Sequence, residues 1–292
     1  MVGKAGNMFF DALVDTLVDS LKLLPFLFVT YFLMEYLEHK AGKKSEALVK
    51  KSGKYGPVVG SILGIFPQCG FSAAAANFYA GRIITIGTLF SIFLSTSDEM
   101  LPILISEQVP VQVILKILGT KIFIGMIMGF VIDAVIEKKG KKQEAPRIEQ
   151  ICDHEHCHCQ DGKILSSALV HTAQVFFFVV LISLILNVGI GYIGEEKLGS
   201  FMTSMPALGT LLSGLIGLLP NCAASVVITQ LYLEGLLSAG AMMAGLLVGS
   251  GVGLLVLFRV NESLKENMSI LVTMYGIGII FGFLIDALKI VF

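Results

Sequence analysis

Apolar stretches of 20 or more residues recur along nearly the whole chain, and they restrict its fold more than any motif does. About 20 apolar residues are enough to cross the hydrocarbon core of a bilayer. A soluble helix of that length keeps a polar face for water, and these stretches lack one. Composition agrees. Of 292 residues 55% are hydrophobic and 15% charged, where soluble domains carry about 25% charged residues. Mean hydropathy is +0.82. Open strands cannot cross lipid, because their backbone groups would go unsatisfied. The expected fold class is therefore all-α, a polytopic membrane protein whose first partner is the lipid bilayer. A net charge of -1 gives no electrostatic basis for a nucleic-acid partner. Met1 to Asn7 is short and polar, without a small-residue cleavage site after an apolar core, so no removable signal peptide is expected.

The chain also repeats itself. Pro67-Gln68-Cys69 matches Pro220-Asn221-Cys222 at an offset of 153 (67 against 220), and Ser72 matches Ser225. At the same offset Asn77 and Tyr79 match Gln230 and Tyr232, while Gly125, Gly129 and Ile132-Asp133-Ala134 match Gly278, Gly282 and Ile285-Asp286-Ala287. Collinear matches that share one spacing indicate duplication. The expected organisation is a first membrane repeat over 1–137, a cytoplasmic linker rich in His and Cys over 138–163, and a second membrane repeat over 164–292. Each repeat has four apolar segments, roughly 8–37, 56–80, 83–106 and 110–137, then 164–193, 205–233, 236–258 and 268–289.

Positive charge marks cytoplasmic loops. One basic loop holds Lys40, Lys43, Lys44, Lys50, Lys51 and Lys54, and the other holds Lys138, Lys139, Lys141, Lys142, Arg147 and Lys163. Three apolar segments separate them, so one segment must enter and leave on the same face. The segment 56–80 is interrupted by Phe66-Pro67-Gln68-Cys69-Gly70, where proline removes a helix hydrogen bond and glycine permits a reversal. Leu219-Pro220-Asn221-Cys222 is the equivalent break. The expectation is two inverted repeats, each with three transmembrane helices plus one broken re-entrant helical hairpin. Eight simple crossings with kinked second helices remain the rival arrangement.

Breaks at corresponding positions of two repeats are the best sequence pointer to a transport site. They carry Gln68, Cys69, Asn221 and Cys222, with Ser72 and Ser225 one turn on. Two thiols with two amide oxygens suit a borderline or soft cation, although a buried cysteine by itself often acts as a small hydrophobe. In the third segment Ser95-Thr96-Ser97-Asp98-Glu99 puts a polar run in the middle of an apolar helix. Intramembrane carboxylates are costly and read first as functional, so Asp98 and Glu99 join the candidate substrate and metal ligands, with Ser95 beside them. The matching stretch, Val248 to Gly253, has glycines in place of acids. Lys121, inside the fourth segment, is expected to face the bundle interior and pair with a carboxylate. Asp133 and Asp286 are expected to organise helix ends. Asp11, Asp15 and Asp19 form one helical stripe, either an acidic vestibule or a wet helix start.

The linker contains Cys152-Asp153-His154-Glu155-His156-Cys157-His158-Cys159. A tract this dense in thiols and imidazoles suggests metal chelation, and Cys152, His154, His156, Cys157, His158 and Cys159 suit zinc, copper(I) or similar ions. No cofactor is required. The metal is the transported or regulatory species, and no P-loop implies direct use of ATP.

With these residues in view, the chain resembles the ten-helix heavy-metal exporter family, also described as an arsenic efflux permease family and as manganese transporters. The resemblance rests on Pro67-Gln68-Cys69-Gly70 and Pro220-Asn221-Cys222-Ala223, the Ser95 to Glu99 run, and the His/Cys linker. It implies efflux of a surplus or toxic metal at the bacterial inner membrane. The leading reading is a secondary-active exporter of a divalent or soft heavy-metal ion, such as manganese, zinc, cadmium or arsenite, working by alternating access. The alternative is a transporter of a small organic or oxyanion solute. An intramembrane enzyme is disfavoured, since no paired nucleophile and base is visible. The sequence leaves a homo-oligomer open.

Overall fold

A computed structural model describes residues 55–66, 69–97, 100–138, 164–193, 206–220 and 222–292, with scattered helical positions between 13 and 32. Everything regular among the described residues is helical. The first repeat contributes α1 (Gly56–Leu63), α2 (Cys69–Ala80), α3 (Ile86–Ser95), α4 (Met100–Ser106) and α5 (Val111–Lys138). The long α6 (Ile164–Ile193) follows, and then α7 (Pro206–Gly217), α8 (Cys222–Leu233), α9 (Ala239–Val248), α10 (Val252–Val260) and α11 (Leu264–Ala287). Shifted by 153, α2 and α3 coincide end for end with α8 and α9. The duplication thus extends to where helices start and stop.

The caps explain those ends. Thr85 accepts a hydrogen bond from the Thr88 amide at 3.0 Å, and Ser238 accepts from the Ala241 amide at 3.0 Å, each satisfying an orphan donor of a first helical turn. Behind each cap stands an aspartate from the last long helix of its repeat. Asp133 accepts from the Gly87 amide at 2.8 Å and the Thr85 hydroxyl at 2.7 Å. Asp286 accepts from the Gly240 amide at 2.8 Å and the Ser238 hydroxyl at 2.9 Å. A Cβ on Gly87 or Gly240 would collide with that carboxylate, so the position must be glycine for the aspartate to reach the helix end.

Two segments that the sequence suggests as continuous helices are broken. The polar run beginning at Ser95 does not sit inside a helix: it ends α3, and α4 starts again at Met100. Its counterpart over 249–251 separates α9 from α10. Ser95 and Thr96 explain the first break, since their hydroxyls donate back to the carbonyls of Ser91 and Ile92, a local bonding pattern that competes with helix propagation. The second relies on Gly251, at φ 54°, in the left-handed region that glycine tolerates.

Packing is layered. The spans Ile86–Ser106 and Ala239–Val260 are 75% and 83% buried in their apolar windows, against 39% and 33% for α5 and α11. So α3 and α9 form the centre, where they touch each other, and α5 and α11 flank them. Phe123, Val272 and Ile280 point outward, as expected of a lipid-facing surface. Within a repeat, α1 packs on α3 and α5, as α7 does on α9 and α11. Gly56 lies against Thr88 and Gly64 against Ser95, so α1 and α3 run the same way, whereas Gly87 opposite Gly129 and Ser95 opposite Gly125 make α3 and α5 antiparallel. The remaining half-helices cross over: α2 packs on α10 and α8 on α4.

These described helices define an all-helical, multi-pass membrane protein. Four spans are long and apolar enough to cross a bilayer among the described residues.

Candidate functional site

The helix breaks converge on one cavity. From the first repeat it is lined by Thr96, Ser97 and Met100, at the α3–α4 break. From the second repeat come Gly217 and Leu219 at the α7–α8 break, Ala224 and Ser225 in the first turn of α8, and Gly245, Leu246, Gly249 and Gly251 at the α9–α10 break. It admits a body about the size of one water molecule. Close backbone approach shapes the wall: a Cβ on Gly217 would strike the carbonyl of Gly245.

The first-repeat break adjoins this cavity. The Ser97 hydroxyl donates to the Ile65 carbonyl, two residues before Pro67. A Cβ on Gly253, in the first turn of α10, would lie 2.6 Å from Ser72 Cβ in the first turn of α2. The equivalent pair in the other direction, Met100 and Ser225, lines the cavity itself. The first turns of α2 and α8 thus each lie beside the broken span of the other repeat.

Among the sequence-derived candidates, Ser225 lines the cavity. Ser72 is fully buried against α10 and does not line the cavity. Ser95 is fully buried but does not line the cavity; its hydroxyl donates to the Ser91 and Ile92 carbonyls, and the lining residues are the next two, Thr96 and Ser97. Cys69 and Cys222 are the first residues of α2 and α8. Gln68, Asn221, Asp98, Glu99 and the linker ligands Cys152, His154, His156, Cys157, His158 and Cys159 lie outside the described residues, as do Asp11, Asp15 and Asp19. Among the described residues no three His, Cys, Asp or Glu side chains come together as a metal cluster.

Lys121 is the residue whose position the sequence hinted at least completely. It is fully buried, and its ammonium donates to the main-chain carbonyls of Thr96 and, at 2.8 Å, Leu246. Both acceptors line the cavity, and they belong to opposite repeats. A charged letter inside an apolar segment pointed to Lys121, but nothing in the letters Thr and Leu says that their carbonyls would hold it.

By class, the fold and site define a multi-pass membrane protein whose helix breaks meet at one small cavity. Residues 7–191 match the model of a family described as "Putative, 10TM heavy-metal exporter". The match spans most of the chain, and the chain belongs to this family of heavy-metal exporters. No functionally curated protein and no solved structure matches it.

Proposed function

We propose that the chain exports a divalent or soft metal cation across the bacterial cytoplasmic membrane by secondary-active alternating access, the ion passing through the cavity where the helix breaks meet. The observation that carries this reading is the composition of that cavity: backbone at three helix breaks, drawn from both repeats, around a space of ionic size. Non-helical backbone at membrane depth is tolerated where it lines a cavity, and transporters use it to coordinate ions.

The transport cycle follows from two inverted repeats, 1–137 and 164–292, joined by the linker 138–163. Two geometric facts support it. First, α1 and α3 run in the same direction with their starts level, Gly56 beside Thr88. A return across α2 to the starting face, that is a re-entrant hairpin, accounts for this. Second, Arg82 at the base of the first hairpin is bonded to Glu266 in the first turn of α11, while Asp286, twenty residues further along α11, holds the base of the second. Twenty helical residues span about 30 Å, the thickness of the hydrocarbon core. The α2–α3 turn and the start of α9 are thus held at opposite ends of α11, which is the arrangement that inversion would give. Counting six crossings and four half-helices gives ten.

In this reading Cys69 and Cys222 supply soft ligands, Gln68 and Asn221 add amide oxygens, and Asp98 and Glu99 bring charge, with Ser72 and Ser225 behind them. The Cys152 to Cys159 tract gathers metal at the cytoplasmic face, and the protein is a carrier, not an enzyme. One observation favours a second reading, an oxyanion substrate: the first turn of α8, a positive dipole end, faces the cavity through Ala224 and Ser225.

The test is cell-associated metal, measured with and without the protein for manganese, zinc, cadmium, copper and arsenite, with arsenate as the oxyanion. Lower content of one cation supports the proposal. Lower arsenate alone supports the second reading, and unchanged content of every species overturns both.

A further inference from the structure

We propose that Glu266, gripped by Arg82 and Tyr79, is the lock of a cytoplasmic gate: the three side chains hold α2 of one repeat against α10 of the other, and they must part before an ion can pass between the cavity and the cytoplasm. This deepens the transport reading above, on which it rests, by naming the closed face and what closes it.

Two half-helices, one from each repeat, lead side by side from the cavity region to one face. α10 begins one residue after Gly251, which lines the cavity. α2 starts beside it, since a Cβ on Gly253 would lie 2.6 Å from Ser72 Cβ. Tyr79 follows Ser72 by seven residues, about 10 Å further along the helix axis, and Asn261 caps the end of α10. At this outer end the contacts between the repeats turn polar. Tyr79 donates to the Glu266 carboxylate, and Arg82 holds it through both terminal nitrogens at 3.1 and 2.9 Å. Asn261 donates to the same carboxylate at 3.3 Å. Asn261 is itself fixed by Asn267, donating to its side-chain oxygen at 2.6 Å and accepting from its amide at 3.0 Å. The second repeat thus presents a preset carboxylate, and the first repeat closes on it. Arg82, Lys138, Arg259 and Lys265 all belong to this end of the helices, which the charge rule assigns to the cytoplasm.

Duplication supplies an internal comparison. The equivalent pair, α8 and α4, also starts at the cavity, through Ser225 and Met100. Its outer end lies toward the other end of α11, where the Tyr232 hydroxyl donates to the Phe292 carbonyl. At the 153-residue offset the counterparts of Arg82, Glu266 and Asn267 are Gly235, Val113 and Ile114, and the counterpart of buried Asn261 is exposed Gln108. Glycine and valine cannot form an ion pair, so this clasp is built into one of the two half-helix pairs. The architecture therefore does not need it in order to pack. Ion pairs across the interface of two moving bodies are broken and repacked in such switches, and a clasp at one face gives the closed state there an advantage that the other face lacks.

The experiment introduces S225C at the cavity wall of the full chain. Inside-out and right-side-out membrane vesicles are exposed to a charged, membrane-impermeant maleimide, and modification at position 225 is read by mass spectrometry. Adding E266Q is expected to raise labelling from the cytoplasmic side about tenfold, the population shift that a lost charged hydrogen bond gives, with no rise from the outer side. Y79F keeps the ion pair, so it is expected to give a smaller rise in the same direction, and it carries the test if E266Q fails to fold. A folded E266Q, or Y79F in its place, whose cytoplasmic labelling stays at the level of S225C alone overturns the inference. So does a rise from both sides, which is general loosening and not a gate. Mn²⁺ and Cd²⁺ flux through the wild-type chain is measured in the same vesicles. Flux with unchanged labelling overturns the lock alone, whereas a wild type that moves neither ion overturns the transport reading.

Discussion

Arg82 and Glu266 are joined across 184 positions of chain by two hydrogen bonds, at 3.1 Å from Nη1 and 2.9 Å from Nη2. Tyr79 and Asn261 donate to the same carboxylate, and the guanidinium stands 5.1 Å over the Tyr79 ring. This ties the α2–α3 turn of one repeat to the start of α11 in the other. Among the described residues the tie has no counterpart at the equivalent positions of the other repeat. The counterpart of Glu266 at the 153-residue offset is Val113, and the hydroxyl of Tyr232, counterpart of Tyr79, donates to the Phe292 carbonyl at 3.1 Å. A non-glycine residue in left-handed backbone is strained, and Arg82 sits there at φ 57° where its counterpart Gly235 has φ 74°.

The first prediction follows from that strain. E266Q should destabilise the protein by about 1–3 kcal/mol, because it leaves a half-buried guanidinium with a weaker partner. R82G loses the same bonds but also relieves a strained backbone, which offsets part of the loss, on the order of 1 kcal/mol. Denaturation in detergent should therefore rank R82G as the milder variant. A milder E266Q would mean that the pair contributes little and that the left-handed backbone has another cause.

Asp133 and Asp286 make a paired prediction. Each accepts one amide and one hydroxyl hydrogen bond at the start of a central helix. Replacing either with alanine should cost about 1–2 kcal/mol, as loss of a helix cap does. D286A should fall at the lower end, since Ser238 is exposed and water can replace the lost acceptor. The two sites share no partners, so the double variant should add within about 0.5 kcal/mol. Thermal unfolding of the three variants checks this, and strong non-additivity would mean that the two ends communicate.

The duplication was readable because Gly, Asp and Pro carry their structural reasons in their letters: only glycine admits an aspartate at the helix start, and only proline removes a donor. The α1–α2 and α7–α8 breaks were readable for the same reason. The breaks after Ser95 and Val248 were harder. Thr96 ends α3 without proline or glycine, through hydroxyls that bond back along the helix, and Gly249 and Gly251 look equally like residues for tight packing. Lys121 shows the limit most clearly. Its charge was visible, but it is bound by main-chain carbonyls, and every residue type offers one of those.

Glycine positions give a third prediction, with its own control. A Cβ on Gly217 would meet the Gly245 backbone, whereas one on Gly276 in α11 meets nothing within 4 Å. G217A should cost about 1–3 kcal/mol through overpacking and should reduce transport, since Gly217 lines the cavity. G276A should be neutral or stabilise by about 0.5–1 kcal/mol, the ordinary gain of alanine over glycine within a helix. Unfolding midpoints with metal flux measured on the same preparations separate the two. Equal effects would show that the α7–α9 contact is looser than its geometry implies.

The cysteines give the fourth prediction, which concerns the kind of ion the site takes. Cys69 and Cys222 open α2 and α8, the first turn of α8 lines the cavity through Ser225 while that of α2 packs on α10 through Ser72, and thiolates select soft ions while carbonyl and amide oxygens serve hard ones. Replacing both with serine removes the soft ligands and keeps polar side chains of similar size. If the cysteines are ligands, the double variant should lose Cd²⁺ flux and keep Mn²⁺ flux, and each single variant should fall between. Loss of both fluxes in a folded protein would assign the cysteines to the transport cycle in general and not to ion choice. Retention of both would place the ligands elsewhere, among the carbonyls of the broken helices and the acids that follow Ser97.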